Sequence, residues 1–190
     1  MIARSYRARV RDEAHPLQRV YVRRHATVLF TDIEDSTAHL VRVGDHAWSR
    51  LLQAHDRTAT RLVKEHRGRL IKTTGDGVLA LFWDASRAFH CARRFMAEAA
   101  ALGITVRSGL HSGECLVAAG DVSGLTVHIA ARVAMLAHGG EVRVSQTTHE
   151  LLHGARDELT DCGRHRLKGV PGEWQLFVLT ATAGRLAISA

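Results

Sequence analysis

The chain alternates between short apolar runs and longer amphipathic stretches. Residues 26–33 form a short, β-branched apolar run, which predicts a buried strand. From 45 to 66, apolar residues recur at the three- and four-residue spacing of one helical face, which predicts an amphipathic helix. Two strand-like runs follow at 69–74 and 78–83, and the glycine-rich segment 75–77 between them predicts a β-hairpin.

A second helix and a further strand come next. Asp84 is a suitable N-cap for a helix whose apolar positions repeat as far as Ala99, and Gly103 follows the last of them. A strand is predicted over 104–111. The order strand, helix, two strands, helix, strand is that of the ferredoxin-like βαββαβ core, an α/β fold with both helices on one face of an antiparallel sheet.

Additional strands and helices are predicted after this core. They are a strand over 114–119, a turn over 120–124, a helix over 125–138, a strand over 141–145, a short helix over 146–152, and strands over 164–168 and 174–179.

Two aspartates lie where the predicted topology brings strand ends together. In a βαββαβ core the first and third strands are antiparallel neighbours. Asp32 ends the first strand and Asp76 lies in the turn before the third, so we expect the two side by side. Aspartates beside glycine also occur in ordinary turns. Two carboxylates at one edge repel each other unless a cation lies between them, which is typical of a site for a divalent metal.

The composition predicts one globular domain. The chain has 190 residues, of which 46% are hydrophobic and 24% charged, which is enough for one core and excludes a mainly disordered chain. We expect a leader over 1–24, one domain over 25–180 and a tail over 181–190. No apolar run approaches the roughly 18 residues of a membrane-spanning helix. The three cysteines have no CxxC spacing and no export signal precedes them, which predicts reduced thiols in a cytoplasmic protein.

Basic residues are concentrated at the amino end. The net charge is +7, and residues 1–24 hold seven arginines against Asp12 and Glu13, so the remaining chain is close to neutral. A basic leader can contact nucleic acid or an anionic membrane surface. The near-neutral body lacks a basic, aromatic-studded pattern, which argues against a nucleic-acid-binding protein.

Four motifs and a fifth short segment together resemble the catalytic domain of class III nucleotidyl cyclases, in particular its compact bacterial members. The resemblance extends from about residue 26 to 179. It is carried by Phe-Thr-Asp-Ile-Glu-Asp-Ser-Thr at 30–37, Ile-Lys-Thr-Thr-Gly-Asp-Gly at 71–77, Val-Arg-Ser-Gly-Leu-His-Ser-Gly-Glu at 106–114, Asp-Val-Ser-Gly-Leu-Thr-Val-His-Ile-Ala-Ala-Arg at 121–132, and Leu-Lys-Gly-Val-Pro-Gly at 167–172.

The resemblance implies a fold, a reaction and a metal site. The family has a ferredoxin-like core and converts ATP or GTP into a 3′,5′-cyclic monophosphate and pyrophosphate. By resemblance, Asp32 and Asp76 hold two Mg²⁺ or Mn²⁺ ions, and the carbonyl of Ile33 assists. Such ions activate the ribose 3′-hydroxyl and offset charge on the triphosphate.

Lys72 and Asp121 match the two family positions that select the base. Adenine offers an amino donor and a ring-nitrogen acceptor, which a carboxylate and an ammonium group complement. Guanine presents a carbonyl in place of the amino group, which leaves polar groups unpaired. The sequence therefore favours ATP as the substrate.

Four further residues match family positions that contact the phosphates and the ribose. His128 and Arg132 are four apart on a predicted helix and so share a face. The resemblance implies that Arg132 contacts the α-phosphate, whereas His128 stands where many members have an asparagine that orients the ribose. Arg107 and Lys168 match positions that hold the triphosphate.

The family places each active site between two subunits. Because this chain carries both sets of residues, the resemblance implies a head-to-tail homodimer with two composite sites. The histidine at position 128 leaves open an alternative, in which the domain binds nucleotides with little or no turnover. Use of another nucleotide, such as GTP, is also left open.

Overall fold

The computed structural model describes residues 20–73 and 75–180. Most of the predicted leader, Thr74 and the whole predicted tail over 181–190 lie outside the described residues. The first strand begins at Val22, so the last residues assigned to the leader belong to the sheet.

The described chain has five helices, one 3₁₀ helix and eight strands. The helices are α1 (Ser36–Val43), α2 (Asp45–Glu65), α3 (Ala85–Ala101), α4 (Leu125–Leu136) and α5 (Gln146–Leu151), with the 3₁₀ helix at Arg156–Glu158. The strands are β1 (Val22–Ile33), β2 (Arg69–Thr73), β3 (Gly77–Phe82), β4 (Val106–Ala118), β5 (Asp121–Ser123), β6 (Glu141–Ser145), β7 (Thr160–His165) and β8 (Trp174–Thr180).

All the described strands join one mixed sheet. Its order is β2-β3-β1-β4-β6-β8-β7, and β5 pairs with β4. Strand β1 runs antiparallel to both β3 and β4, and the β4–β6 pair is parallel. The first four strands of this order form the ferredoxin-like core, so the predicted fold class is confirmed, with the remaining strands added beyond β4.

Helices cover both faces of the sheet. On one face, α2 and α3 bury the main core, in which Leu62, Phe82 and Phe89 are fully enclosed. The other face carries α4, whose Ala130 packs on residues of β1 and β3. At Gly109 of β4, a Cβ atom would lie 2.1 Å from the backbone nitrogen of Ala134, so only glycine lets the helix backbone rest directly on the strand.

The structure differs from the sequence pattern at several boundaries. Helix α1 was not predicted, and none of its residues is buried. The predicted strands over 104–111 and 114–119 are one strand, β4, because the polar Ser112 between them is buried and hydrogen-bonded to Thr27 at 2.8 Å. The predicted turn over 120–124 contains β5, and the strand predicted over 164–168 lies at Thr160–His165.

A chain of buried polar side chains crosses the interior between β1 and β6. The hydroxyl of Thr27 bonds to that of Ser112, which lies 3.1 Å from the hydroxyl of Thr148. Thr148 lies 3.2 Å from the hydroxyl of Ser145, and Ser145 in turn lies 2.7 Å from Nδ1 of His111. Burial lowers the pKa of His111 from 6.5 to about 4, so this imidazole is neutral near pH 7.

The pKa of His111 predicts how stability depends on pH. Between pH 6.5 and about 4 the unfolded chain binds a proton at His111 that the folded protein does not, so the free energy of unfolding falls as pH decreases through this window. This residue contributes a slope of up to about 1.4 kcal/mol per pH unit.

We expect His111→Gln to flatten that slope, measured by urea unfolding between pH 4 and 7. The exposed His46→Gln is the matched control, because it removes a histidine without changing the interior. Burial also lowers the pKa values of His66 and His149, so both variants retain a common background slope. Equal slopes in the two variants would contradict the assignment.

Candidate active site

Asp32 and Asp76 lie at the same end of two neighbouring strands. The register pairs Asp32 of β1 with Gly77 of β3. The backbone N–H of Ile33 donates to the carbonyl of Asp76 at 3.2 Å, which closes the turn against the strand end. Asp76 therefore lies one residue from the register partner of Asp32, at the same end of the two strands.

Two adjoining cavities open beside these aspartates. The larger one, of about 600 Å³, is lined by Asp32, Arg107 and the first turn of α1. A smaller one, of about 240 Å³, is lined by Asp76 and shares Ser36 and Thr37 with the first. The unpredicted helix α1 therefore lines both cavities.

Arg107 forms an ion pair with Asp32. The two residues are direct neighbours across the β1–β4 pair. Nε and Nη2 of Arg107 both donate to Oδ2 of Asp32, at 2.9 and 2.5 Å. The resemblance had assigned Arg107 to the triphosphate, and the sequence analysis missed this contact. The antiparallel pairing of the first and last core strands could have predicted this contact, because it places the two opposite charges at directly opposing positions.

The donor atoms at this strand end fit a divalent cation. Asp32, Asp76 and the Ile33 carbonyl supply hard oxygen ligands, which Mg²⁺ and Mn²⁺ prefer. The guanidinium of Arg107 already pairs with Asp32 here. A carboxylate has about four lone-pair sites, so Asp32 can bond to Arg107 and also ligate a metal.

The protein alone provides few metal ligands at this place. Among residues 20–73 and 75–180, no cluster of three or more His, Cys, Asp or Glu side chains is arranged to hold a metal ion. A metal held by Asp32 and Asp76 therefore needs further oxygen ligands, which water molecules or the phosphate groups of a substrate can supply.

Lys72 faces the side of the sheet that α4 covers. Leu70 pairs with Ala80 and Lys72 pairs with Leu79. Strand β2 therefore contains a β-bulge, in which one extra residue of β2 lies between these two pairs. Residues directly opposite each other on paired strands point to the same face. Leu79 packs on the α4 side, so Lys72 projects to that side and is exposed to solvent.

Asp121 lies at the start of β5, and both of its carboxylate oxygens accept hydrogen bonds. The hydroxyl of Tyr21 donates to Oδ2 at 3.0 Å, and the backbone N–H of Val122 donates to Oδ1 at 2.9 Å. Asp121 pairs with Ala118, one residue beyond the Val22–Val117 pair at the start of β1.

The sheet register places Lys72 and Asp121 towards opposite ends of β1. Lys72 is level with Phe30 through Leu79, near the carboxyl end of that strand. Asp121 lies beyond its amino end. The register therefore does not by itself bring the two together, and their joint contact with a base stays a prediction.

Arg132 and Lys168 are brought together. Nε of Arg132 on α4 donates to the backbone carbonyl of Lys168 at 3.2 Å, and Nη1 contacts the sulfur of Met135 at 3.1 Å. The Lys168 side chain is exposed. One turn earlier on α4, His128 is also exposed. Three of the predicted site residues thus lie on α4 or on the loop beside it.

Glu34 connects the strand end to α4 and was missed from the sequence. Its Oε1 accepts from the backbone N–H of Gly139 at 2.7 Å, just after the helix ends. A Cβ atom at Gly139 would lie 2.0 Å from the Glu34 carboxylate. The acidic residue after Ile33 in the 30–37 motif was the available signal.

Comparison with known proteins identifies the family. Residues 20–181 match the family described as adenylate and guanylate cyclase catalytic domain. The chain belongs to this family. The match covers β1 to β8, and with them every candidate residue named above.

One curated relative carries an adenylate cyclase name. The chain is 32% identical over 157 residues to a putative adenylate cyclase 3 of Rhizobium meliloti, which covers 78% of this chain and 27% of that protein. The chain therefore spans only about a quarter of this curated relative.

Solved cyclase structures share the fold. The adenylyl cyclase CyaB of P. aeruginosa superposes with a TM-score of 0.77 at 20% identity, covering 84% of this chain and 95% of that one. The guanylyl cyclase Cya2 gives a TM-score of 0.72 at 22% identity, covering 83% and 92%. Within the part of the chain that the structure describes, no helix is both long and apolar enough to span a bilayer.

The metal site can be tested without turnover. We expect Asp32→Asn to weaken Mn²⁺ binding at least about ten-fold, because it removes the charge of a proposed ligand. Titration of Mn²⁺, followed by electron paramagnetic resonance of the free ion, measures this affinity. The control is Asp45→Asn, at the exposed start of α2. Unchanged affinity in both Asp32→Asn and Asp76→Asn would refute the site.

Proposed function

We propose that the protein is an adenylate cyclase, which converts ATP into 3′,5′-cyclic AMP and pyrophosphate. In this reaction the ribose 3′-hydroxyl attacks the α-phosphorus and the bond to the pyrophosphate oxygen breaks. The observation that carries the proposal is the pairing of Asp32 with Gly77, which brings two aspartates to one strand end in a chain of the cyclase family.

The metal-binding residues support phosphoryl chemistry. When bound, two Mg²⁺ or Mn²⁺ ions would lower the pKa of the 3′-hydroxyl and offset negative charge on the triphosphate. Asp32, Asp76 and the Ile33 carbonyl would hold them. Arg107 keeps the Asp32 carboxylate oriented through two hydrogen bonds to one oxygen.

Arg132 supplies a fixed positive charge. Its Nε is bonded to the Lys168 carbonyl, which restrains the guanidinium. We assign this group to the α-phosphate, where negative charge grows during attack, and a single preorganised donor of this kind is worth about 2.7 to 4 kcal/mol of barrier. The exposed ammonium of Lys168 lies on the same loop and would hold the outer phosphates.

The choice of ATP rests on Lys72 and Asp121. An ammonium and a carboxylate complement the ring nitrogen and amino group of adenine and mispair with guanine. A relative with 32% identity also carries the name putative adenylate cyclase. The placement of Lys72 on the α4 side supports its role, since Arg132 lies on that helix.

We infer a head-to-tail homodimer with two composite sites. Exposed apolar side chains occur both near the metal end and near the start of α4, where a second subunit would cover them: Val41 is 79% exposed, Val20 is 80% exposed and Leu125 is 59% exposed. The three cysteines are free, and we propose a cytoplasmic location.

The substrate assay decides between nucleotides. We expect purified protein with Mn²⁺ to form cyclic AMP and pyrophosphate from ATP, with products identified by mass, and little product from GTP, CTP or UTP. Lys72→Ala should reduce the preference for ATP over GTP at least about ten-fold. Lys64→Ala, on the exposed surface of α2, is the matched control.

The outcomes of this assay distinguish the alternatives. Formation of cyclic GMP as the main product would show that the protein is a guanylate cyclase and not an adenylate cyclase. ATP binding without turnover would favour the second candidate, a nucleotide-binding domain with little activity, for which the histidine at position 128 is the specific observation.

Shared sites can be tested by mixing two inactive variants. Asp76→Ala lacks a metal ligand and Arg132→Ala lacks the phosphate-binding charge, so each alone should be inactive. When subunits exchange at random, half of the dimers are mixed and each mixed dimer has one intact site, which predicts about a quarter of the wild-type rate. A mixture that stays inactive after exchange would exclude composite sites.

A further inference from the structure

The loop between β7 and β8 carries Lys168 and contains two glycines with positive φ. Gly169 and Gly172 adopt φ values of 78° and 83°, in the left-handed region that glycine enters without steric cost. Glycine also has the largest conformational freedom to lose, so a loop with two such residues needs anchors to hold one shape.

The loop begins with a buried side chain. Leu167 is 3% exposed and packs with Ile129 and Val133 of α4 and with Leu176 of β8. The N–H of Val170 donates to the Leu167 carbonyl at 3.0 Å, which forms a turn. These contacts anchor the start of the loop at Leu167.

Trp174 anchors the loop near its other end. Its Nε1–H donates to the carbonyl of Pro171 at 3.1 Å, so the indole closes the loop from the start of β8. The ring meets His111 edge-on, with centroids 5.5 Å apart and an interplanar angle of 86°. His111 is itself bonded to Ser145, so the indole rests against the buried polar chain described above.

Arg132 and Trp174 therefore hold one loop at two carbonyls. Arg132 bonds to the carbonyl of Lys168, and Trp174 bonds to that of Pro171, three residues further on. If the loop loosened at Pro171, the Lys168 carbonyl would move as well, and Arg132 would lose the acceptor that restrains it. The hydrogen bond of the indole N–H would then influence both Lys168 and Arg132 through the loop.

We propose that Trp174 is a positioning residue that holds Lys168 and Arg132 together for the phosphates of the substrate. The inference rests on the proposed function, because it takes these two cations as the phosphate-binding groups. Trp174 itself acts through the loop rather than by touching the substrate. Its loss should weaken recognition of phosphates and leave recognition of the nucleoside unchanged.

The variant Trp174→Phe tests this proposal, because it removes the N–H and keeps an aromatic ring against His111. We expect binding of inorganic pyrophosphate, measured by calorimetry with the full chain and Mn²⁺, to weaken about three- to ten-fold, as the loss of one hydrogen bond predicts. Binding of adenosine should not change. Trp83→Phe, at an exposed tryptophan after β3, is the matched control and should bind both probes normally.

A second substitution removes only the donor. Replacement of Trp174 by 3-benzothienylalanine, in which sulfur takes the place of the indole N–H, preserves the shape of the ring. It should reproduce the loss of pyrophosphate affinity even if the phenylalanine variant folds poorly. Weakening of both probes to the same extent would indicate a merely structural role and would overturn the proposal.

Lys168→Ala separates failure of this inference from failure of the proposed function. If Lys168→Ala weakens pyrophosphate binding and both Trp174 variants do not, the loop is held without the indole and only the inference is wrong. If Lys168→Ala and Arg132→Ala leave pyrophosphate binding intact, the phosphate-binding assignment is wrong, and the role of Trp174 falls with it.

Discussion

Strand β1 lies between two antiparallel partners, and its register with both determines the candidate site. Pairing with β3 brings Asp32 beside Gly77, and pairing with β4 brings it opposite Arg107. A slip of one residue would turn Asp32 to the other face of the sheet and break both relations. The buried side chains of the strand, from Ala26 to Leu29, oppose such a slip because they would have to exchange faces.

Charge is arranged around this register in two groups. At the strand end, one arginine neutralises one of two neighbouring aspartates, which leaves a locally acidic place suited to cations. Beside α4, Arg132 and Lys168 form a basic group suited to anions. A metal-bound triphosphate carries both kinds of charge, so it complements the two groups when they face one another. This complementarity, more than the shape of either cavity, links the fold to nucleotide chemistry.

The sequence predicted the core elements because their apolar periodicity follows burial. Helix α1 escaped prediction because it buries no side chain and so has no such pattern. The sequence also did not predict that β4 is one continuous strand, because Ser112 is polar yet buried. Its hydrogen-bond partner, Thr27, is 85 residues away in the sequence. For the same reason the Asp32–Arg107 ion pair and the Trp174–Pro171 bond were not predicted. The motifs indicated the candidate residues, whereas contacts between them depend on strand pairing that local sequence patterns do not record.

Gly109 has a consequence for how the site can change shape. Helix and strand meet there through backbone atoms, without an intervening layer of side chains that could adjust to sliding. This close packing resists sliding of α4 over β4. If the active site lies between two subunits, as we propose, closure around a nucleotide would then involve movement of one subunit against the other rather than of α4 over the sheet.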